Sequence, residues 1–290
     1  MRQRRKVSSA RLRCRPGLSM VELIIGMVIL AIIGMALTRI LVAQARYFDH
    51  QKLANLARNV SRGPLNRIVS DLRMVEALGG VVDAQQNSII VRVPYAMGVV
   101  CATTGGATHV SLLPVDSAMY AAPGFSGYAW RGGQGPYRYV EAGPPTIGAG
   151  STSVCTAAQI QTLTASNAKV IQITPQLTDT ASVGTPVFLF RRIRYRFKAS
   201  DAIPGTQGLF RETMQTGVEE ELSAPYDGTA AFRFFVGSST VSTPNAPGDL
   251  STLRGLELTL NGMSERIASG ATQKYKAPFK TAVFFKNRLD

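Results

Sequence analysis

From Leu18 to Thr38 the chain is an apolar run with a single charge, Glu22. Twenty-one helical residues at ~1.5 Å each reach about 32 Å, enough for a hydrocarbon core of about 30 Å. No second run of that length follows. Beyond it, Leu53, Leu56, Val60, Ile68, Leu72 and Val75 recur at spacings near three, four and their sums. That spacing predicts an amphipathic helix over 39–79, continuing from the apolar segment. Gly63-Pro64 should break or kink it, because proline lacks a donor and clashes with the preceding turn. Gly79-Gly80 should end it. Arg39, Arg46, Arg58, Arg62, Arg67 and Arg73 interleave with the stripe and read as its solvated face.

From residue 80 the pattern changes. Segments 88–93, 137–141, 169–174, 186–198, 230–236, 254–260 and 279–286 combine aromatic and β-branched residues between Gly, Pro, Ser and Thr clusters, which predicts strands. Ile193, Tyr195 and Phe197 alternate with Arg192, Arg194, Arg196 and Lys198, and Leu256, Leu258 and Leu260 repeat the period of two. Apolar residues then face a core and basic ones face water. The fold class is α+β: a long N-terminal helix on an antiparallel sheet with one buried face. Residues 101–155, rich in Gly, Pro, Ala, Ser and Thr, read as a long insertion with little regular structure.

Composition narrows the chemistry. A hydrophobic content of 45% excludes a disordered chain. Two His and three Cys, with no C-x-x-C or H-E-x-x-H, imply no metal site and no cofactor. Gly124-Phe125-Ser126-Gly127 is not a nucleophile elbow, His50 and His109 have no carboxylate pair in view, and no phosphate-binding glycine loop occurs. Glu219-Glu220-Glu221 reads as a solvated edge rather than a cation site. No catalytic residue is expected, and the chain does not read as an enzyme.

The charge of +14 is uneven. Arg2, Arg4, Arg5, Lys6, Arg11, Arg13 and Arg15 crowd into residues 1–17 with no acid among them. Such a leader holds its end in the cytoplasm and sends the remainder outward. An ordinary signal peptide, cut after Ala43-Gln44-Ala45, would have a shorter apolar centre. A plain anchor leaves Glu22 unexplained, since a carboxylate in hydrocarbon costs about 2.5–3.5 kcal/mol and by default marks function.

Pro16-Gly17-Leu18-Ser19-Met20-Val21-Glu22, between that leader and the apolar run, resembles the type III signal sequence of type IV pilins and pseudopilins. The resemblance implies cleavage between Gly17 and Leu18 by prepilin peptidase, and N-methylation of Leu18. It also implies a Glu22 carboxylate that neutralises the new amine of a neighbouring subunit. Leu18 departs mildly from the family's commoner Phe. Glycine before the cut lets the backbone approach a protease closely. Phe190–Phe197, Leu209–Arg211, Gly217–Glu219 and Phe284–Arg288 resemble, more diffusely, PilW-like minor pilins and J-type minor pseudopilins.

The resemblance implies a cleaved leader at 1–17, a membrane helix at 18–38, its continuation at 39–79 and a periplasmic head at 80–290, held in the inner membrane. Partners would be other minor and major pilins or pseudopilins, the peptidase and the inner-membrane assembly platform. The function implied is a structural subunit that primes type IV pilus assembly, or its counterpart in a type II secretion system. Because Cys14 leaves with the leader, Cys101 and Cys155 remain on the oxidising side and would form a disulfide, the alternative being two buried free thiols. Removing seven cations leaves 25 against 18 acids, a charge of +7. Arg192, Arg194, Arg196 and Lys198 would then offer a face for phosphate or DNA. The aromatic residues between them point inward, so stacking on bases is not supported.

Overall fold

A computed structural model describes residues 19–116, 124–133, 135–142, 147–149, 154–155, 169–177 and 181–285. The leader, with Gly17 and Leu18, lies outside the described residues. The chain divides into two units, Met1–Gln51 and Lys52–Asp290.

The first unit holds most of helix α1 (Met20–Arg62), whose residues up to Gln51 are almost all exposed. The second holds the end of α1, helix α2 (Leu65–Arg73) and an antiparallel sheet. Its strands are β1 (Val81–Gln85), β2 (Ser88–Thr104), β3 (Ala107–Leu112), β4 (Gly127–Trp130), β5 (Arg138–Glu141), β6 (Ile147–Ala149), β7 (Val170–Ile173), β8 (Pro186–Ala199), β9 (Gln207–Thr213), β10 (Val218–Tyr226), β11 (Ala231–Val236), β12 (Leu253–Ile267) and β13 (Lys274–Phe284). The order is β11-β12-β10-β9-β8-β2-β3-β7-β6, with β1 on β2, β13 on β12, and β4 between β5 and β8.

Pro64 separates the helices as its chemistry requires. Gly63 N–H still reaches the Asn59 carbonyl at 2.9 Å, but Pro64 has no N–H for Val60. The orphaned Val60 carbonyl accepts instead from Tyr226 Oη and Ser223 Oγ of β10, each at 2.8 Å. A buried carbonyl without a partner would cost about 1–3 kcal/mol, so the sheet supplies what the proline withholds.

The helical stripe differs in phase from the expected one. Leu53, Ile68, Leu72 and Val75 are buried, but Leu56 is exposed, and Ala54, Ala57 and Ser61 face inward instead. Small residues win because β12 approaches closely at Gly262. A Cβ there would lie 2.2 Å from the Ala57 carbonyl oxygen. Ser61 Oγ donates to the Leu260 carbonyl at 3.0 Å and accepts Gly262 N–H at 3.1 Å. The helix also ends earlier than expected, at Arg73. Tighter bonds from Met74 N–H to Asp71 and from Val75 N–H to Leu72 close it, bringing Val75 and Ala77 into the core.

Among the described residues, two large hydrophobic clusters fill the second unit, beside a small one around Cys101 and Cys155. One joins α2 to β8 and β12 through Ile68, Leu72, Ile193, Tyr195, Phe197 and Leu258. The other lies around Val110, Tyr128, Trp130, Ile171, Val187 and Leu189. The alternation expected of β8 holds: Ile193, Tyr195 and Phe197 are buried, with the basic residues between them on the opposite face.

The expectation that 101–155 would be an insertion with little regular structure, apart from the strand expected at 137–141, is corrected. It contains the end of β2 and all of β3, β4, β5 and β6, joined to the main sheet. Gly105 and Gly106 both take positive φ, +63° and +76°, and make the two-residue turn between Thr104 and Ala107. Positive φ at both central positions is the turn whose twist suits a hairpin. β3 and β4 are buried on both faces, so the one-sided burial expected of the sheet fails there.

Candidate functional site

Among the described residues one helix, near the N-terminus, is long and apolar enough to span a membrane. None of its most apolar stretch is buried among the described residues. The Thr38 hydroxyl, a polar group in this stretch, donates to the Gly34 carbonyl at 2.8 Å. Glu22 sits on the first turn. Ser19 N–H donates to Glu22 Oε2 at 3.1 Å, and Glu22 N–H donates to Ser19 Oγ at 3.2 Å. This reciprocal pair is a capping box, which satisfies two of the donors a helix start leaves open. Its signature, Ser-x-x-Glu before an apolar run, was readable in Ser19-Met20-Val21-Glu22 and explains Glu22 locally. A carboxylate at this end also meets the positive pole of the helix.

On β8, each of the four basic residues of the expected phosphate face has an acidic partner. Arg192 Nη1 lies 2.8 Å from Glu141 Oε2, and Arg194 Nη1 lies 2.9 Å from Glu212 Oε2. Arg196 and Lys198 share Glu219, at 2.6 and 2.7 Å, and Asp201 stands 3.7 Å from Lys198. Burial alone would raise the Glu219 carboxyl, but the hydrogen bonds from Lys198 and Arg196 outweigh it and hold the group below its ordinary range. A phosphate here would have to displace carboxylates already in place. The acidic run on β10 is thus partly consumed: Glu219 by β8, and Glu221 by Ser200 Oγ at 2.6 Å and the N–H groups of Asp201 and Ala202 at 3.1 Å. Register made the Arg194 pair, because antiparallel pairing sets Arg194 opposite Glu212, and it sets Glu219 opposite Glu212 on the next strand, within diagonal reach of Arg196.

Beneath the same strand, Asp71 of α2, Tyr195 of β8 and Arg211 of β9 form a buried polar cluster. Tyr195 Oη donates to Asp71 Oδ2 at 2.5 Å, and Arg211 Nη2 lies 3.3 Å from the same oxygen. The Asp71 and Arg211 side chains are 10% and 11% exposed. Burial, and then the Asp71 charge, push the Tyr195 phenol well above its ordinary value. Arg211 is held further toward its charged form: burial opposes this, but Tyr195 and Asp71 prevail. The cluster ties α2 to the sheet. Neither the aspartate in the helical stripe nor the Leu-Phe-Arg segment announced it.

Cys101 and Cys155 are joined as a disulfide, with Cα atoms 5.0 Å apart, and are fully buried with Val170 against them. Among the described residues no group of three or more His, Cys, Asp or Glu could hold a metal ion. His109, whose Nε2 lies 3.2 Å from Thr104 Oγ1, belongs to the β2–β3 hairpin. Ser126 Oγ accepts Arg192 N–H at 3.0 Å and donates to the Gly124 carbonyl at 3.1 Å, so it braces β8.

Compared with protein-family models, with curated proteins and with solved structures, the chain shows no significant match.

Proposed function

We propose that this chain is a structural minor pilin, inserted in the inner membrane and processed by prepilin peptidase, which helps prime assembly of a type IV pilus. The observation that carries the reading is Glu22 on the first turn of an exposed helix of spanning length, five residues after Gly17 and beyond a leader of seven cations. The β-rich second unit is consistent with a pilin-like head. In this reading the peptidase cuts between Gly17 and Leu18, and the Leu18 amine is methylated. The Glu22 carboxylate keeps oxygen lone pairs beyond the one that accepts Ser19 N–H, and these meet the amine of an adjacent subunit. Other pilins and the inner-membrane assembly platform are then its partners. Its role is to be built in rather than to catalyse.

Intact mass of the membrane-extracted protein tests this. Loss of residues 1–17 with one added methyl group is the expected result. A chain beginning at Arg46 would mean an ordinary signal peptide and defeat the proposal. The capping box sharpens the Glu22 test. Glu22→Gln keeps an acceptor for Ser19 N–H while removing the charge. It should insert and be cleaved normally, yet co-purify less with other minor pilins. Undiminished co-purification would show that the charge has no partner.

A further inference from the structure

Where the two hydrophobic clusters of the second unit part, a cavity of about 380 Å³ opens between α2, β2 and β8. That is the volume of a small-molecule site. Arg191 stands at the parting on β8, between Leu189 of one cluster and Ile193 of the other. The strand's next neighbour changes there too, from β4 at Phe190 to β9 at Ile193. Unlike the four basic residues that follow it, Arg191 has no carboxylate partner among the described residues. Its guanidinium carbon lies 4.3 Å from the centre of the Tyr95 ring, and its Nε is buried without an acceptor. Tyr95 reaches this place because β2 bulges: Pro94 pairs with Phe190 and Ala96 with Leu189, leaving Tyr95 as the extra residue. Bulges of this kind re-aim a side chain.

The geometry points to this cavity as a binding site for a small organic monocarboxylate, its anion held by Arg191 and its apolar body laid against Met74, Met97 and Phe188. The charges that face the cavity select the ligand. Arg67 adds a second cation from α2. Arg211 is committed to Asp71 and, at 3.7 Å, to Glu220, and Asp116 accepts Met97 N–H at 2.9 Å. The two aspartates make a dianion such as phosphate unfavourable, whereas one carboxylate can take a forked pair of hydrogen bonds from a guanidinium already stacked on a ring. The wall is mostly apolar and includes two methionines, which adapt to shape rather than specify it. The site does not depend on the pilin reading, and its failure would leave that reading untouched.

The test is calorimetry on the full-length protein in detergent, with benzoate as the probe and benzamide and inorganic phosphate as comparators. Benzoate should bind saturably at millimolar concentration or below, benzamide at least roughly tenfold more weakly, and phosphate more weakly than benzoate. Arg191→Met should weaken benzoate at least roughly tenfold, and Arg192→Met, on the ion-paired face, should leave it unchanged. Met74→Trp narrows the cavity from an exposed position, so it tests the site even where Arg191→Met fails to fold; it should abolish binding. Absence of saturable benzoate binding, equal affinity for benzamide, preference for phosphate, or unchanged binding in Met74→Trp would each overturn the assignment.

Discussion

Gly262→Ala is the sharpest probe of how the helix meets the sheet. The added methyl carbon would lie 2.2 Å from the Ala57 carbonyl oxygen and 2.7 Å from Ser61 Oγ, whereas ordinary contact begins near 3.4 Å. The helix must therefore retreat by about 1 Å at this point. The closest atom is backbone, so no rotamer change relieves the contact. Overpacking of this kind costs about 1–3 kcal/mol. Retreat also stretches the bonds that Ser61 makes to the Leu260 carbonyl and Gly262 N–H, worth about 1 kcal/mol each. Together the loss should be about 3–5 kcal/mol, a large part of the ~5–15 kcal/mol by which a domain is held folded. Urea unfolding of the full-length protein in detergent, followed by the fluorescence of the single tryptophan, Trp130, reads it directly. Ser61→Ala, which loses the bonds without the clash, should cost less than Gly262→Ala. Ser61→Gly should fail to rescue Gly262→Ala, because the Ala57 carbonyl remains in the way. A Gly262→Ala protein as stable as the parent would refute the close approach and the account of the helix phase with it.

Asp71→Ala should destabilise by about 3 kcal/mol, because it leaves the Tyr195 hydroxyl without its acceptor and the buried Arg211 charge with only the more exposed Glu220 carboxylate, 3.7 Å away. Asp71→Leu combined with Arg211→Met should recover much of that loss in the same unfolding assay. Alkali should act through the buried tyrosines. Burial pushes Tyr95 up to about 12 and raises Tyr139, Tyr195 and Tyr226 further. Since the unfolded phenols ionise near pH 10, their contribution is intact below that value and is lost as pH rises through and beyond it. The urea midpoint should therefore be level below about pH 10 and fall steadily from there toward about pH 12, and phenolate absorbance should appear together with unfolding. A midpoint independent of pH there would contradict the burial of these side chains. Alkylation of the denatured, unreduced mature protein should label neither Cys101 nor Cys155. Their cross-link closes a loop with a sequence separation of 54, and on the chain-entropy model its reduction should cost roughly 4 kcal/mol. Two labels per chain would show that the disulfide does not form.

Features carried by local periodicity were legible in the sequence. The apolar run before residue 39, the alternation through Ile193, Tyr195 and Phe197, and the break at Gly63-Pro64 all appear where side-chain spacing and proline chemistry put them. The phase of the helix was not legible, because periodicity was read from the largest apolar residues. Contact with β12 is made by Ala57 and Ser61, whose value lies in being small opposite Gly262. The ion pairs of β8 were hidden for another reason. Glu141 and Glu219 lie far along the chain, and only strand register brings them beside Arg192, Arg196 and Lys198. Gly105-Gly106 and Ser19-x-x-Glu22 were local signals in plain view, outweighed by the impression of a Gly-rich insertion and of a functional carboxylate. Arg191 was passed over because the basic strand was read from Arg192 onward, which separated an arginine without a carboxylate partner among the described residues from its ion-paired neighbours.

The bonds to the Val60 carbonyl make the proline break a positional stop. In an uninterrupted helix every carbonyl is alike to a neighbouring sheet, and a slip by one turn, about 5.4 Å, would exchange one set of apolar contacts for another at little cost. With Pro64 in place the Val60 carbonyl has no donor four residues on, and the hydroxyls of Tyr226 and Ser223 converge on it. A slipped arrangement would carry that oxygen away from both donors and leave the two hydroxyls without it. The residue that interrupts the helix thereby sets its longitudinal alignment on the sheet, as a notch sets a sliding bolt.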